Sequence, residues 1–251
     1  MKALVLAAGY ATRLYPLTKD RPKPLLDVAG KPVLEYILAR IEKIEGLDTL
    51  YIVVNKKFYA HFEKWKARYA SSKSITLVND GSMQEDDRLG AIGDIRFSIQ
   101  KEKIADDLLV VAGDNLFDMD LSLFVRSAQK KSPSCSMMLY DVKDLSLARR
   151  YGIVALDKSH RIISFEEKPE TPKSTLSAMG VYYFPKEVLG QIEAYLISGS
   201  QQDAPGFFIR WLSQKETVYG YPCEGIWYDI GDLHSYQRAS QTFEKVRLHK
   251  H

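Results

Sequence analysis

Short apolar runs alternate with stretches of helical periodicity through the first half of the chain. Four runs predict buried strands of a parallel sheet, at residues 2–6, 50–54, 75–78 and 108–112. The stretches between and after them carry apolar side chains three or four positions apart, which predicts helices at residues 32–43, 58–69, 92–100 and 121–130. This alternation predicts a doubly wound α/β sheet with helices on both faces.

The pattern changes in the second half, where short apolar segments are separated by turns rather than by long helices. These segments predict strands at residues 135–140, 152–156, 162–166, 178–184, 217–221 and 225–227. Helical spacing returns at residues 185–197, 206–212 and 233–246. We therefore expect the parallel sheet to continue into a mixed one.

Composition is that of an ordinary globular protein. The 251 residues suffice for one α/β domain with a large core. A formal charge of +3 gives no case for bulk electrostatic binding to nucleic acid or to a membrane surface, and no apolar run approaches the length of a membrane span. Cys135 and Cys223 are far apart in sequence, which favours free thiols and a cytoplasmic location over a disulfide framework.

The segment after the first predicted strand carries the first candidate site. Gly9 lets the backbone turn and approach a ligand, because it has no Cβ. The loop that leaves the carboxyl end of such a strand is where α/β sheets bind ligands. Arg13 is suited to gripping phosphate oxygens with its forked guanidinium, and Lys23, between two prolines, to acting as a point charge.

Asp114 follows the most apolar strand of the chain and is a candidate metal ligand. Mg²⁺ takes one or two carboxylates together with phosphate oxygens, and the carboxyl end of a buried strand presents such a group. Alternatively, Asp114 caps the following helix, but Asp118, Asp120 and Ser122 lie nearer to that helix. We therefore favour the metal role.

Three further stretches each admit two interpretations. Residues 79–91 form either a solvated acidic loop with Arg88 as an extra cation, or a ligand loop opening a helix at Gly90. The stretch Glu167-Lys168-Pro169 is either a solvated charge run or a strand end at a site, since Pro169 opposes a helix there. His160 is expected in a hairpin turn, and there is no Ser-His-Asp or Cys-His grouping.

The segments 6–9, 12–14, 16–18, 22–26 and 30–32 together resemble the signature of the sugar-1-phosphate nucleotidyltransferases. The match spans more than twenty-five residues. Glu167-Lys168-Pro169, Tyr151-Gly152, Gly180-Val181-Tyr182 and the Trp-x-Asp-x-Gly of residues 227–231 also match family positions. Ala11 departs from the pattern, because the family usually has glycine there.

The resemblance implies a Rossmann-like, doubly wound, mostly parallel mixed sheet with a small acceptor-side β subregion. It implies one domain over residues 1–251, with a nucleotide-binding half (1–131) and a sugar-phosphate-binding half with the C-terminal helices (132–251). We expect little room after residue 229 for an added repeat or allosteric domain.

The resemblance also implies roles for individual residues. The nucleotide would contact Leu6, Ala8, Gly9, Tyr10, Ala11, Thr12, Arg13, Lys23, Asn79 and Gly90. The sugar phosphate would contact Asn115, Gly152, Glu167, Lys168, Tyr182 and Trp227, although Tyr182 is equally expected in the core. Asp114 and Asp229 would hold the cofactor Mg²⁺, and the catalytic set would be Arg13, Lys23, Asp114 and Lys168. Independently of the resemblance, Asp232 is expected to cap the last helix, as aspartate does at N-caps.

The implied substrates are an NTP and a sugar-1-phosphate. Glucose-1-phosphate with dTTP or UTP is the first expectation, CTP stays open, and so does a homo-oligomer. Two rivals remain at this point: transfer to a non-sugar phosphate such as phosphocholine, and a non-catalytic nucleotide-sensing protein. Glu167-Lys168-Pro169 favours a sugar, and the presence of both acidic and all three basic candidates favours catalysis.

Overall fold

The computed structural model describes residues 1–199 and 203–248, and a nine-stranded mixed sheet forms its centre. The strands are β1 (Lys2–Leu6), β2 (Asp27–Val28), β3 (Lys31–Pro32), β4 (Thr49–Val54), β5 (Ser74–Asn79), β6 (Leu108–Ala112), β7 (Asn115–Phe117), β8 (Cys135–Asp141), β9 (Gly152–Leu156), β10 (Ile162–Glu167), β11 (Leu176–Phe184), β12 (Val218–Cys223) and β13 (Trp227–Asp229). The α-helices are α1 (Val33–Ile41), α2 (Tyr59–Lys66), α3 (Gly90–Lys101), α4 (Leu121–Gln129), α5 (Leu145–Ala148), α6 (Leu189–Ile197), α7 (Pro205–Ser213) and α8 (Leu233–Leu248).

Strand β1 lies inside a parallel block, as the alternating pattern predicts. The sheet order is β10-β9-β11-β6-β1-β4-β5, with β8 on the other side of β11 and β12 beyond β8. Strands β6, β1, β4 and β5 are parallel, and Leu6 pairs with both Val53 and Ala112. Strand β11 runs antiparallel to β6, which confirms the mixed sheet. The carboxyl ends of the four parallel strands meet at one edge.

Both faces of this sheet are covered. Ala3 and Val5 of β1 pack into one apolar cluster with helices α1, α2 and α4, while Leu4 between them packs into another with α3, α6 and α7. The split follows from the strand geometry, because successive side chains point to opposite faces. Because both faces of the sheet are covered at its centre, the middle of β1 has to be apolar, as Ala3, Leu4 and Val5 are.

A two-stranded ribbon outside the main sheet carries part of the edge. Strand β7 pairs antiparallel with β13, so that Asn115 lies opposite Asp229 and Phe117 opposite Trp227. The sequence pattern predicted no strand at β7 and ended the other at residue 227. Three-residue strands have too little periodicity to be recognised, and they exist here because a distant segment pairs with them.

Several local predictions are confirmed and others are shifted. Asp120 caps α4 through Ser122 N (2.8 Å), and Asp232 accepts from Ser235 N (2.7 Å) at the start of α8. His160 lies in the predicted turn, with φ of 63°. The expected helix at 185–197 begins with a 3-10 turn and becomes α-helical only at Leu189, and α5 was not predicted. Cys135 and Cys223 are free, and among the described helices none combines the length and hydropathy that a membrane span needs.

Candidate active site

An open cleft of about 500 Å³ lies at the carboxyl edge of the parallel strands. The loop after β1 forms one wall, the first turn of α3 another, and Asp114 and Lys168 approach from the side of β6 and β10. The sequence-predicted residues that line this cleft are Leu6, Ala8, Gly9, Tyr10, Ala11, Thr12, Arg13, Lys23, Gly90, Asp114 and Lys168. Leu6 and Lys168, which are 162 positions apart in the chain, therefore meet at one cleft.

The loop after β1 is held by hydrogen bonds to its carbonyl groups. The buried Asn55 donates from Nδ2 to the Ala8 carbonyl at 2.9 Å, and Thr18 Oγ1 donates to the Ala11 carbonyl at 2.8 Å. Ala11 has φ of 50° and ψ of 42°, the left-handed conformation that favours glycine. The family's usual glycine at this position is thus explained by the backbone, and alanine adopts it here at a cost in strain.

Lys23 is placed beside Asp114 by a 3-10 turn at Lys23–Leu25. Its Nζ donates to Asp114 Oδ2 at 2.7 Å and to the Ile230 carbonyl at 2.9 Å. The Lys23 side chain is largely buried, whereas Arg13 is exposed at the cleft. The two cations therefore differ: Lys23 is fixed at the carboxylates, and Arg13 is available to an anion that enters from solvent.

Asp229 is brought next to Asp114 by the β7–β13 ribbon. Asp229 pairs with Asn115, and the following Ile230 N donates to the Asp114 carbonyl at 3.1 Å. Burial, and then repulsion from Asp114, raise the pKa of Asp229 to about 6. Cations nearby act in the opposite direction: Lys23, Arg13 and Arg150.

These two carboxylates fit a magnesium ion that shares its coordination with phosphate. In the described part of the chain, no group of three or more His, Cys, Asp or Glu side chains is arranged to hold a metal. Mg²⁺ is usually bound by only one or two carboxylates plus substrate phosphates and water, so a pair suffices. The mutual repulsion that raises the pKa of Asp229 is the repulsion that a divalent cation relieves.

On the acceptor side, Lys168 enters the cleft from a turn after β10. Its φ is 47° and its backbone N donates to the Tyr151 carbonyl at 3.0 Å, which turns the side chain away from the strand. The Lys168 side chain is 59% exposed, so it is free to approach an anion. Glu167 is half-buried beside it, and burial raises the pKa of the Glu167 carboxyl.

Gly152 leaves room for Glu167. A Cβ on Gly152 would lie 2.6 Å from Phe165 Cζ and 3.0 Å from Glu167 Oε2. Phe165 is buried, so its ring has little freedom to move away. The glycine therefore lets Glu167 keep its position, a role in which it supports the site without contacting the ligand through a side chain.

Seven predicted site residues do not line the cleft: Asn79, Asn115, Gly152, Glu167, Tyr182, Trp227 and Asp229. Trp227 Nε1 donates to Asn115 Oδ1 at 2.6 Å, so these two form a buried pair beneath the carboxylates. Tyr182 is 4% exposed and stacks on Phe184, which decides for its core interpretation. The side chain of Asn79 closes a turn by accepting from Gly81 N at 2.9 Å.

The cleft also contains residues that the sequence did not single out. Asp94 and Ala91 share the α3 face of Gly90, and Ala204 and Pro205 begin α7 opposite them. Helical spacing could have indicated Asp94 from the sequence, because residues four positions apart lie on the same face of a helix and Asp94 follows Gly90 by four. Arg88, expected as an extra cation, is paired with Glu85 (2.9 Å) and Asp203 (3.1 Å), both at the cleft.

Comparison with known proteins decides the family. The family model described as Nucleotidyl transferase matches residues 2–246. The chain belongs to the nucleotidyl transferase family. This nucleotidyl transferase is 35% identical over 243 residues to a Sulfolobus acidocaldarius protein provisionally named mannose-1-phosphate guanyltransferase. It is 34% identical over 232 residues to the bifunctional protein GlmU of Methanocaldococcus jannaschii, and 30% identical over 249 residues to a UTP–glucose-1-phosphate uridylyltransferase of Synechocystis.

These matches cover almost all of this nucleotidyl transferase but only part of its relatives. They cover 96%, 92% and 95% of the chain, and 62%, 51% and 62% of the three relatives. A UDP-glucose pyrophosphorylase solved with UDP-glucose has a TM-score of 0.80 at 20% identity, covering 97% of this chain and 98% of its own. A Bacillus anthracis protein provisionally named glucose-1-phosphate thymidylyltransferase, solved with sucrose, has a TM-score of 0.79 at 22% identity, with 97% and 95% covered. The solved structures share the fold.

Proposed function

We propose that this nucleotidyl transferase moves a nucleoside monophosphate from an NTP to a sugar-1-phosphate, with release of pyrophosphate. The observation that carries the proposal is the arrangement of charge along one cleft. Arg13, Lys23 and Lys168 line it together with Asp114, which lies beside Asp229. Glucose-1-phosphate with dTTP or UTP is the substrate pair we propose first, with Mg²⁺ as the cofactor.

The chemistry is an in-line displacement at phosphorus. An oxygen of the sugar phosphate forms a new bond to the α-phosphorus of the NTP, and the bond between that phosphorus and the bridging oxygen to the β-phosphate breaks. Pyrophosphate leaves with the electron pair. The attacking oxygen is already ionised at neutral pH, so no general base is needed, and the described residues that line the cleft include no histidine. Positioning and electrostatic stabilisation supply the catalysis.

Each cation has a separate anionic partner in this mechanism. Lys23 stabilises the charge that develops on the α-phosphate, and Arg13 holds the leaving pyrophosphate. Lys168 neutralises the incoming sugar phosphate, and Glu167 accepts hydrogen bonds from sugar hydroxyls. Asp114 and Asp229 would hold Mg²⁺, which when bound supplies Lewis-acid stabilisation of the phosphate charge.

A pyrophosphate-release assay with Mg²⁺ tests the proposal. Lys23→Ala and Asp114→Ala should each lower turnover by about 10²–10³, the usual effect of removing one electrostatic contact to a transition state. Lys19→Ala, an exposed lysine near the same loop, is the matched control and should keep normal turnover. Near-normal turnover in both site variants would contradict the mechanism. An acceptor panel that includes phosphocholine separates the sugar substrate from its rival.

A further inference from the structure

One wall of the cleft contains a buried carboxyl group, that of Asp94, which has no role in the proposed reaction. Asp94 lies on α3, four positions after Gly90, and lines the cleft with Gly90 and Ala91. It is only 7% exposed. A carboxyl group is rarely buried without a partner, because desolvation of its charged form is costly.

One oxygen of this acid accepts no hydrogen bond, although the Asp80 carboxyl lies against the same side chain. Asp94 Oδ1 is buried and accepts no hydrogen bond within the described chain, whereas the polar groups around it are engaged. Tyr10 OH donates to Ser82 Oγ at 3.2 Å, and Ser82 N donates to Asp80 Oδ1 at 2.7 Å. An unsatisfied buried acceptor costs about 1–3 kcal/mol, so such a group at a ligand cleft points to a donor that arrives with the ligand.

The position of Asp94 is right for the base of a nucleotide. Asp80, which lies against Asp94, directly follows β5, and Asp114 comes two residues after the end of β6. In the order β6-β1-β4-β5, strands β5 and β6 are three strand spacings apart. Three strand spacings amount to roughly 14 Å. With the α-phosphate at Lys23 and Asp114, the ribose extends along the sheet edge and the base reaches the α3 side.

We propose that Asp94 selects the base by accepting a hydrogen bond from a ring N–H on its Watson–Crick edge. This inference rests on the proposed function for the presence of an NTP in the cleft. Uracil and thymine carry that hydrogen on N3 and guanine on N1. Cytosine N3 and adenine N1 carry a lone pair instead, which would face the lone pair of the Asp94 oxygen. Rotation about χ2, a soft torsion in aspartate, turns an oxygen to the cleft.

The protonation of the neighbouring acids agrees with an acceptor at Asp94. Burial, and then repulsion from Asp80, raise the pKa of Asp94 to about 8. A proton held between the two carboxyl groups leaves the Asp94 oxygen that faces away from Asp80 with a free lone pair. Asp80 itself is held by Ser82, through Oγ at 2.9 Å as well as through the backbone, so it cannot turn to the base in its place.

Nucleotide binding without an acceptor sugar tests the selection separately from turnover. Calorimetric titration of the whole protein in Mg²⁺ with UTP, dTTP, GTP, ITP, CTP and ATP should give at least about tenfold tighter binding to the nucleotides with a ring N–H, the equivalent of one hydrogen bond. ITP has the N1–H of guanine without its amino group, so its comparison with GTP isolates the amino group, and its comparison with ATP tests the N1–H together with the 6-oxo group. UTP against GTP tells a pyrimidine site from a purine site.

Asp94→Asn is the decisive variant, because its amide donates to a ring lone pair as well as accepting from a ring N–H. We expect the preference for UTP over CTP, or for GTP over ATP, to fall to within about threefold. Asp86→Asn, on the exposed 3-10 turn nearby, should keep the wild-type ratio. A urea unfolding curve for each variant shows whether it is folded.

Three results would overturn the inference: wild-type preference for CTP or ATP, a ratio unchanged in Asp94→Asn, or no binding of any of the six nucleotides. Failure of the proposed function looks different. Selective binding with no pyrophosphate release from any sugar phosphate would leave the inference standing and remove the function. Equal use of all NTPs with rapid turnover would support the proposed function and contradict the role of Asp94 in base selection.

Discussion

Lys23 and Asp114 are 91 positions apart in the chain, and Lys23 Nζ donates to Asp114 Oδ2 at 2.7 Å. The ammonium and the carboxylate therefore neutralise each other before a ligand binds. In the proposed reaction they have different partners, the α-phosphate for Lys23 and Mg²⁺ for Asp114. Substrate binding would then replace the Lys23–Asp114 ion pair by two others, Lys23 with the α-phosphate and Asp114 with Mg²⁺.

Lys23→Met should separate metal binding from turnover. Without the competing ammonium, Asp114 and Asp229 attract a divalent cation more strongly, and we expect Mg²⁺ to bind about tenfold tighter in the absence of nucleotide, roughly 1.4 kcal/mol. Turnover should nevertheless fall by about 10²–10³, because the α-phosphate loses its cation. Calorimetry with Mg²⁺ alone and pyrophosphate release measure the two effects. Lys19→Met is the control, and weaker Mg²⁺ binding in Lys23→Met would count against the ion-pair competition.

Ala11 should respond to substitution according to its left-handed backbone. Ala11→Gly relieves strain and adds chain entropy to the unfolded state, so a net stabilisation of up to about 1 kcal/mol is expected. Ala11→Val places a branched side chain at φ of 50° and should destabilise by about 1–3 kcal/mol. Ala29 has φ of 48° in the turn between β2 and β3, so Ala29→Val should show the same loss of stability. Urea unfolding measures stability, and only Ala11→Val should also weaken NTP binding. If Ala29→Val weakened NTP binding as well, the effect of Ala11→Val on binding would be due to the loss of overall stability.

Gly9→Ala and Gly113→Ala should affect different properties of the protein, NTP affinity in the first variant and stability in the second. A Cβ on Gly9 meets nothing within 4 Å, so Gly9→Ala should fold with normal stability and lose NTP affinity only if a ligand comes close there. A Cβ on Gly113 would lie 2.5 Å from the Leu6 carbonyl oxygen, which is backbone and cannot move aside. Gly113→Ala should therefore lose stability first, by about 1–3 kcal/mol.

Gly190→Ala controls for the glycine experiments. The Gly190 Cβ position is open and lies inside α6, so alanine should stabilise by about 0.5–1 kcal/mol and leave binding unchanged. Unfolding curves and NTP titration distinguish the three variants. Normal NTP affinity in Gly9→Ala would show that no phosphate approaches the loop at that point.

The buried Asp94 should make stability fall as pH rises. Its pKa is raised from 3.8 to about 8, so between these values the folded state holds a proton that the unfolded state has released. Stability then decreases with pH across that window, by up to about 1.4 kcal/mol per unit, and the loss is complete above pH 8. Asp94→Asn removes this dependence. Urea unfolding at pH 5, 6.5 and 8 should show an advantage of Asp94→Asn that grows with pH, whereas exposed Asp86→Asn should show none. An advantage that is constant with pH would mean that Asp94 stays ionised.

Local sequence determined the long strands of the parallel block and the helices that cover them. The apolar runs at β1, β4 and β6 are buried on both faces, and this requirement alone makes them recognisable. Arg13, Lys23 and Asp114 follow such strands or their loops, so the topology of a parallel sheet places them at one edge. These properties depend on residues close together in the chain, and the pattern therefore contains them.

Tertiary structure alone decided which of these groups meet. Asp229 reaches Asp114 through two three-residue strands, Tyr182 turns into the core, and Asp94 is buried at the cleft with one oxygen that accepts no hydrogen bond. Each outcome depends on packing between segments that are distant in sequence, where a side chain's environment is set by the whole fold rather than by its neighbours. Periodicity specifies which face of an element is apolar, but the position of a charge in a cleft and its pKa follow from desolvation and from partners that only the folded chain supplies.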